Sequence, residues 1–342
     1  MLSPKISVLI PVFNGSKYIS GTLDSIIAQQ FGCFEIICID DCSTDNSLEI
    51  LREYSKKDLR IRVFSTENNM GIVPKVINFG RKFIRGEYYV YSSQDDSFSE
   101  DWLDCMYARA IETEADAIIP DLVFWHENEP YKNRILSGVN GDRNVQLNGR
   151  QAFLLSLDWT IPGNALWKTW LVREIGYFDF GMNADEYTAR LYFLKCNKVA
   201  FSGGVFYYRQ DNVEAITKKI SVKSLDLPFT DLMLWLLARD NGFQISVQRM
   251  LLERSVFGLL YFNSLLLVNS DLSSGRYKIT RCYDEFTKYR IFRILRFKDG
   301  WRNKRILIAK LASIDYSFFF IISMVLAVRI LWRDLFIKSM NK

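Results

Sequence analysis

The chain has 342 residues, 49% of them hydrophobic and 24% charged, which is enough for a full core and excludes an intrinsically disordered protein. Its single histidine, His126, excludes a histidine-rich metal centre and most Ser-His or Cys-His nucleophile schemes, so acid–base chemistry must rest on carboxylates. The net charge of +5 is lopsided: 13 Lys and Arg against 4 Asp and Glu stand between Glu285 and Lys342, which leaves the rest of the chain at −4.

The six cysteines (33, 38, 42, 105, 196 and 282) form no CxxC pair, and reduced thiols are expected. The start, Met1 to Lys5, runs straight into an apolar strand without a charged leader or cleavage site, so the first domain is expected to stay in the cytosol.

In chain order, Ile6–Ile10 reads as a buried strand closed by Pro11. Ile19, Leu23, Ile26 and Ile27 then recur with the helical period. Phe34–Ile39 is a second strand ending at Asp40-Asp41, and Ser43 or Thr44 is expected to cap the helix through Leu48 and Leu51. Ile61–Phe64 predicts a third strand and Val73–Phe83 a third helix. Tyr88–Tyr91 predicts a fourth strand, followed by Gln94-Asp95-Asp96, a helix over 101–112 and a strand at Ala117–Pro120. Residues 121–165 read as an irregular loop region, 184–195 as a helix, Val199–Tyr208 as extended, and 221–338 as wholly helical.

Strands alternating with helices predict a doubly wound, mostly parallel α/β sheet, in which ligands bind beyond the carboxyl ends of the strands. Polar clusters fall at those ends: Asn14, Asp40-Asp41, Asn68-Asn69 and Asp95-Asp96. Asp40 or Asp41 has the chemistry to accept a hydrogen bond from a ribose hydroxyl or a base N–H. Asp95-Asp96 places two like charges side by side, a conflict that a divalent cation held with substrate phosphates removes. Asn183-Ala184-Asp185-Glu186-Tyr187 opens a helix, and either carboxylate there has the chemistry of a general base, although pairing with Arg190 explains the acids equally well.

Together these segments resemble the large family 2 of inverting glycosyltransferases, which have the GT-A fold. Pro11-Val12-Phe13-Asn14 is similar to the strand-one motif that packs on the nucleotide base, and Asp40-Asp41-Cys42-Ser43-Thr44-Asp45 to the segment whose aspartate holds uracil. Asn69-Met70-Gly71, with Lys75 and Asn78 after it, is similar to the NxG stretch. Ser93-Gln94-Asp95-Asp96 occupies the place of the metal-binding DxD, and Asp185-Glu186 that of the base motif. The resemblance implies a nucleotide-sugar donor, by family habit a UDP-sugar, and Mn²⁺ or Mg²⁺ as cofactor. It also implies a growing polysaccharide, such as an O-antigen, or a lipid-linked glycan as acceptor. Ser93 stands where many members have the first DxD aspartate, which puts metal ligation on Asp95 and Asp96. The base motif runs Asp-Glu instead of Glu-Asp, and likeness to the shorter bacterial members favours Asp185 as the base. Arg209 is expected to neutralise leaving-group charge. Trp159, Trp167, Trp170 and Tyr187 are candidates for stacking on the acceptor sugar, with Trp159 and Trp167 preferred.

Residues 1–220 are thus expected to form the transferase domain, with 1–120 binding donor and 121–220 acceptor, and 221–342 a helical region. Within that region 290–310 interleaves Arg290, Arg293, Arg296, Lys298, Arg302, Lys304, Arg305 and Lys310 with apolar side chains. This pattern also occurs in nucleic-acid binders, but an interfacial helix drawn to anionic lipid fits it better, and no nucleic-acid partner is expected. Tyr316–Val328 is uncharged over 13 residues. That is about 20 Å of helix against a hydrocarbon core of about 30 Å, so lying on the membrane or packing on the protein is expected over spanning it. A peripheral enzyme on the cytoplasmic face of the inner membrane follows. Two rivals remain. A sugar-nucleotide pyrophosphorylase needs a Gly-rich, Arg-bearing loop where this chain has Pro-Val-Phe-Asn-Gly-Ser. A membrane-docked scaffold with a decayed transferase domain has only Ser93 in its favour.

Overall fold

The computed structural model describes residues 3–215, 218–289 and 319–327. The chain divides into two compact units, one of Met1–Asp179 with Ala184–Val213, the other of Phe180–Asn183 with Glu214–Lys342.

The first unit is a twisted sheet of nine strands. β1 (Ile6–Val12), β2 (Phe34–Asp40), β3 (Ile61–Ser65) and β4 (Tyr88–Tyr91) alternate with α1 (Ile19–Ile27), α2 (Ser47–Lys57) and α3 (Val73–Gly80). Next come β5 (Ser97–Phe98), α4 (Trp102–Thr113), β6 (Ala117–Trp125), β7 (Arg134–Leu136), α5 (Gly149–Ser156), β8 (Leu166–Lys168), α6 (Ala184–Lys195) and β9 (Val199–Arg209). The spatial order is β3-β2-β1-β4-β8-β6-β9-β5, with β7 beside β6. β3, β2, β1 and β4 are parallel, and β8 runs antiparallel to both β4 and β6. β6 therefore points the same way as β4, and β9 runs parallel to β6. Six strands thus present their carboxyl ends on one edge, as the alternating pattern predicts for an α/β sheet.

All seven positions of β1 and of β2 are buried, which is why both read as continuous apolar runs. Ile6, Val8, Ile10 and Val12 pack with Leu23 of α1 and Met106 of α4 on one face, while Leu9 faces Ile77 of α3 and Phe193 of α6 on the other.

Several local expectations are corrected. Pro11 does not close β1 but sits inside it, paired with Ile39. Leu9 accepts from Ser92 N on the β4 side and Val12 from Asp41 N on the β2 side, so the missing N–H of Pro11 faces the β4 side, past the end of that strand. β6 likewise continues through Pro120, because the register with β9 jumps there from Ile119↔Phe201 to Asp121↔Val205 and needs no donor from the proline. The region 121–165 is not wholly irregular: it holds the rest of β6, β7, and α5, whose start carries a reciprocal cap between Asn148 and Gln151. Neither Ser43 nor Thr44 caps α2; Asn46 occupies that position, without a side-chain cap bond.

The second unit is helical, with α7 (Leu227–Asp240), α8 (Ile245–Val268) and α9 (Arg276–Lys288). The buried carboxylate of Asp226 accepts from Met182 N (3.1 Å) and from Lys278 Nζ (2.5 Å), pinning the 180–183 segment and α9 to the start of α7. Ser255 Oγ of α8 donates to the Pro228 carbonyl of α7 at 2.5 Å. By length and composition alone α8 is able to cross a membrane, yet 56% of its most apolar stretch is buried within the protein, as in a core helix. Residues 319–327 are helical. The basic stretch 290–310 and the ends of the 316–328 segment lie outside the described residues.

Candidate active site

The turns after β1, β2 and β4 are locked together by side chains. Asn14, in a left-handed conformation at φ 48°, donates its N–H to Ser43 Oγ (3.0 Å) and accepts from Thr44 N through Oδ1 (2.8 Å). Gly15 N donates to Ser47 Oγ (2.8 Å) and Ser16 N to Asp45 Oδ2 (3.0 Å). Partial burial works against the Asp45 charge, but the hydrogen bonds from Ser47 and Ser16 prevail and hold its carboxyl down at about 2. From the β4 side, the Gln94 amide pairs with both backbone groups of Phe13, accepting from its N–H (2.9 Å) and donating to its carbonyl (3.1 Å). Phe13 on this fixed rim stays 43% exposed and offers a flat apolar surface beside the strand tips.

The two acids ending β2 divide. Asp41 accepts from Thr66 Oγ1 (2.9 Å) and from Met70 N through both carboxylate oxygens, which shapes the turn before Gly71 (φ 81°). Asp40 takes Ser43 N on Oδ2 at 3.3 Å, while its Oδ1 is buried with no partner. A buried acceptor without a donor is costly, and a ligand N–H or hydroxyl satisfies it. Lys75 is exposed on the first turn of α3. Asn78 clamps both backbone groups of Tyr177 (2.6 and 2.8 Å), on the approach to α6.

The acids after β4 divide as well. Asp96 is buried, its Oδ1 accepting from Arg209 N at 3.2 Å. Burial, then the charge of Asp95, pushes its carboxyl well above the usual range. Asp95 is half-buried and accepts from Ser93 Oγ (2.8 Å) and Asn212 Nδ2 (2.6 Å). Arg209 differs from expectation. Its side chain is 11% exposed and its charge is already met by Glu127 (2.7 Å) and Asp211 (3.1 Å), with the guanidinium 4.2 Å over Trp125 and Nε donating to the Asp95 carbonyl. Arg209 holds the end of β9 against the turn that carries Asp95.

At the start of α6, Glu186 pairs with the buried Arg190 one turn on, and Arg190 donates also to the Ser156 carbonyl (2.7 Å). Asp185 is half-buried beside it, and the backbone N–H groups of Asp185 and Glu186 at the helix start favour its charge. Burial, then the charge of Glu186, pushes its carboxyl up to about 6. The two acid pairs, far apart in sequence, act on the same phenols. Tyr91 and Tyr208 are raised first by burial and then by the charges of Asp95, Asp96 and Asp185, joined at Tyr208 by Glu186; Tyr208 stands at about 12. Of the residues beside these acids, sequence reasoning missed Tyr91 and Asn212. Tyr208 left a signal there in the Tyr207-Tyr208-Arg209-Gln210 run, and Gln94 as the middle residue of the DxD-like stretch.

Trp167 is not at the site. It is 2% exposed on β8, packed edge-on against Tyr192 (5.3 Å) and close to Phe193 (4.9 Å), because its strand is sandwiched between β4 and β6. Trp170 packs against the same core. Trp159 is part-exposed, in a left-handed conformation (φ 62°) just after the Ser156 carbonyl that Arg190 holds. A left-handed backbone at a bulky residue is strained, and such strain gathers at functional loops.

A mostly parallel sheet whose carboxyl edge gathers an exposed aromatic ring, an open buried acceptor and two acid pairs is the build of a nucleotide-sugar transferase of GT-A type. Residues 7–171 match the family described as Glycosyl transferase family 2. That segment carries the family's match, and the chain is a nucleotide-sugar-dependent glycosyltransferase. It is 28% identical over 248 residues to "Glycosyltransferase GlyG" of Streptococcus pneumoniae, covering 64% of this chain and 81% of that one. Among solved structures, S. aureus TarS 1–349 in complex with UDP-GlcNAc matches with a TM-score of 0.57 at 20% identity, covering 83% of this chain and 92% of that one. The mannosyltransferase PcManGT of Pyrobaculum calidifontis, in complex with GDP-Man and Mn²⁺, matches at 0.51 and 14% identity, covering 96% and 88%. At such identities the structural likeness carries the fold.

Proposed function

We propose that this protein transfers one sugar with inversion from a UDP-sugar to a glycan or lipid-linked glycan, with Asp185 as general base and Asp95 as the carboxylate that holds a divalent cation. One observation carries the proposal: in each of three acid pairs one member turns to the fold, Asp41 to Thr66, Asp96 to Arg209 N and Glu186 to Arg190. Of the other members, Asp40 has a buried oxygen without a donor, and Asp95, held only by two neutral donors, keeps lone-pair sites for a cation.

Phe13 offers a face for the base and Asp40 Oδ1 an acceptor for its N–H. Among the described residues no three His, Cys, Asp or Glu side chains gather into a cation cage. A single half-buried carboxylate with oxygen donors fits Mn²⁺ or Mg²⁺, which ordinarily bind through one or two carboxylates and the substrate's phosphates. When bound, the cation supplies charge neutralisation to the departing diphosphate. Asp185 takes the proton of the acceptor hydroxyl as that oxygen bonds to the anomeric carbon and the bond from that carbon to the diphosphate oxygen breaks. A carboxyl near 6 is ionised at neutral pH yet basic enough for the task. Trp159, just past the Ser156 carbonyl that Arg190 holds, is the proposed stacking ring for the acceptor sugar.

The test is nucleotide release from a panel of UDP-, GDP- and dTDP-sugars with Mn²⁺, with Mg²⁺ and with EDTA. Release from a UDP-sugar that EDTA abolishes supports the proposal. No release from any donor, with acceptor lipids supplied, favours the non-catalytic scaffold.

A second reading concerns place. Helix 319–327 buries Phe319, Ser323 and Ala327 but exposes Phe320, Ile321, Met324 and Val325, all on one side. Such an apolar face, following the basic stretch 290–310, favours an interfacial helix on an anionic membrane, on the cytoplasmic side where the nucleotide sugars are. Flotation of the full chain with vesicles rich in phosphatidylglycerol, weakened by salt and absent with neutral vesicles, is expected. Equal flotation with both kinds of vesicle removes the electrostatic part.

A further inference from the structure

We infer that Ser93 and Asn212 are positioning residues that clamp the Asp95 carboxylate for its cation. The inference rests on the metal reading above and deepens it. Ser93 Oγ donates to one carboxylate oxygen at 2.8 Å and Asn212 Nδ2 to the other at 2.6 Å. Each oxygen has two lone-pair sites, so the two bonds fix the plane of the carboxylate and leave each oxygen a site for metal. Both donors are neutral. They orient the group without neutralising it, whereas a Lys or Arg in their place would compete with the cation. Arg209 donates to the Asp95 carbonyl and not to its carboxylate, and its charge is held by Glu127 and Asp211.

Asn212 is itself held in place. It is buried, three residues past Arg209 N, whose hydrogen bond to Asp96 secures the end of β9, and Gln210 N donates to the Trp125 carbonyl at 2.7 Å. Asp96 therefore acts on the cation site indirectly, by fixing the segment that delivers Asn212. Ser93 stands where the family resemblance places a carboxylate. In this chain the position has become a hydrogen-bond donor to the remaining acid, so the loss of one charge is coupled to a firmer hold on the other.

Residues that orient a metal-ligating carboxylate ordinarily change metal affinity by about ten- to a hundredfold when removed. The experiment is Mn²⁺ binding to the full chain with saturating UDP, followed by loss of the free-ion electron paramagnetic resonance signal. Ser93→Ala and Asn212→Ala should each raise the Mn²⁺ dissociation constant by about that factor, with UDP affinity in EDTA unchanged, and Ser93→Thr, which keeps the hydroxyl, should restore it. Wild-type Mn²⁺ affinity in both alanine variants overturns the clamp and leaves the metal reading intact. Failure of the wild-type protein to bind Mn²⁺ with UDP overturns the metal reading and the clamp with it. If Asn212→Ala does not fold, Ser93→Ala against Ser93→Thr decides.

Discussion

The acid pair at the strand tip, Asp95-Asp96, and the pair at the helix start, Asp185-Glu186, look alike in sequence and are resolved in opposite ways. At the strand tip the chain turns into β5, and Asp96, next to that strand, points inward to Arg209 N while Asp95 in the turn stays half-exposed. At the helix start adjacent side chains diverge by about 100°, and the second acid lies one turn below Arg190, which captures it. Asp185 is left to the helix's own N–H groups. In both pairs the local backbone sends the two carboxylates to different surroundings.

The largest test of this contrast is at the helix. Asp185→Asn should lower kcat by about 100- to 10,000-fold with donor affinity retained, the ordinary scale for a general base, whereas Glu186→Gln should retain most of the activity. The reverse pattern would exchange the two roles. Next is the pH dependence. Because the Asp185 carboxyl stands at about 6, kcat/KM should fall about tenfold per pH unit below 6 and level off above it. The residual activity of Asp185→Asn should lack this limb.

At the strand tip the expected effect is on stability. Asp96→Ala leaves the Arg209 N–H without its acceptor and should cost about 1–3 kcal/mol in chemical denaturation, while Asp95→Ala should cost little. The smallest effect returns to Asp185. Its folded pKa is raised from 3.8, so the folded state binds more protons between 3.8 and about 6 and wild-type stability falls as pH rises through that window. Asp185→Asn should therefore melt higher than wild type at pH 8, with the difference closing as pH drops below 6 and gone below 3.8. Equal melting temperatures at pH 8 would mean that burial does not penalise the charge.

Much of the fold was legible because it depends on periodicity. The parallel β–α succession to Ala117, α6 and β9 are all patterned by burial, and the polar strand tips fall where the chain leaves the sheet. The misses share one cause, a partner distant in sequence. Pro11 and Pro120 read as terminators because the neighbouring strand's end and the β9 register jump are tertiary facts. Trp167 read as a sugar-stacking ring because three residues of β8 carry no period that marks a strand between β4 and β6. Arg209 read as a phosphate ligand because Glu127, 82 residues away, is found beside it only in the fold. The acid motifs were visible in the sequence; which member of the first two pairs stays open was not, since that depends on Thr66 and on Arg209 N, whereas the Arg190 that pairs with Glu186 lies only one turn on.

The most direct measurement is calorimetric titration of UDP into wild-type protein and Asp95→Asn, with Mn²⁺ and with EDTA. Asp95 as the cation's carboxylate predicts that Mn²⁺ strengthens UDP binding to the wild type at least tenfold and leaves Asp95→Asn, still folded, at its weaker EDTA affinity. Equal strengthening by Mn²⁺ in both proteins, or UDP binding to the wild type that ignores the metal, would contradict it.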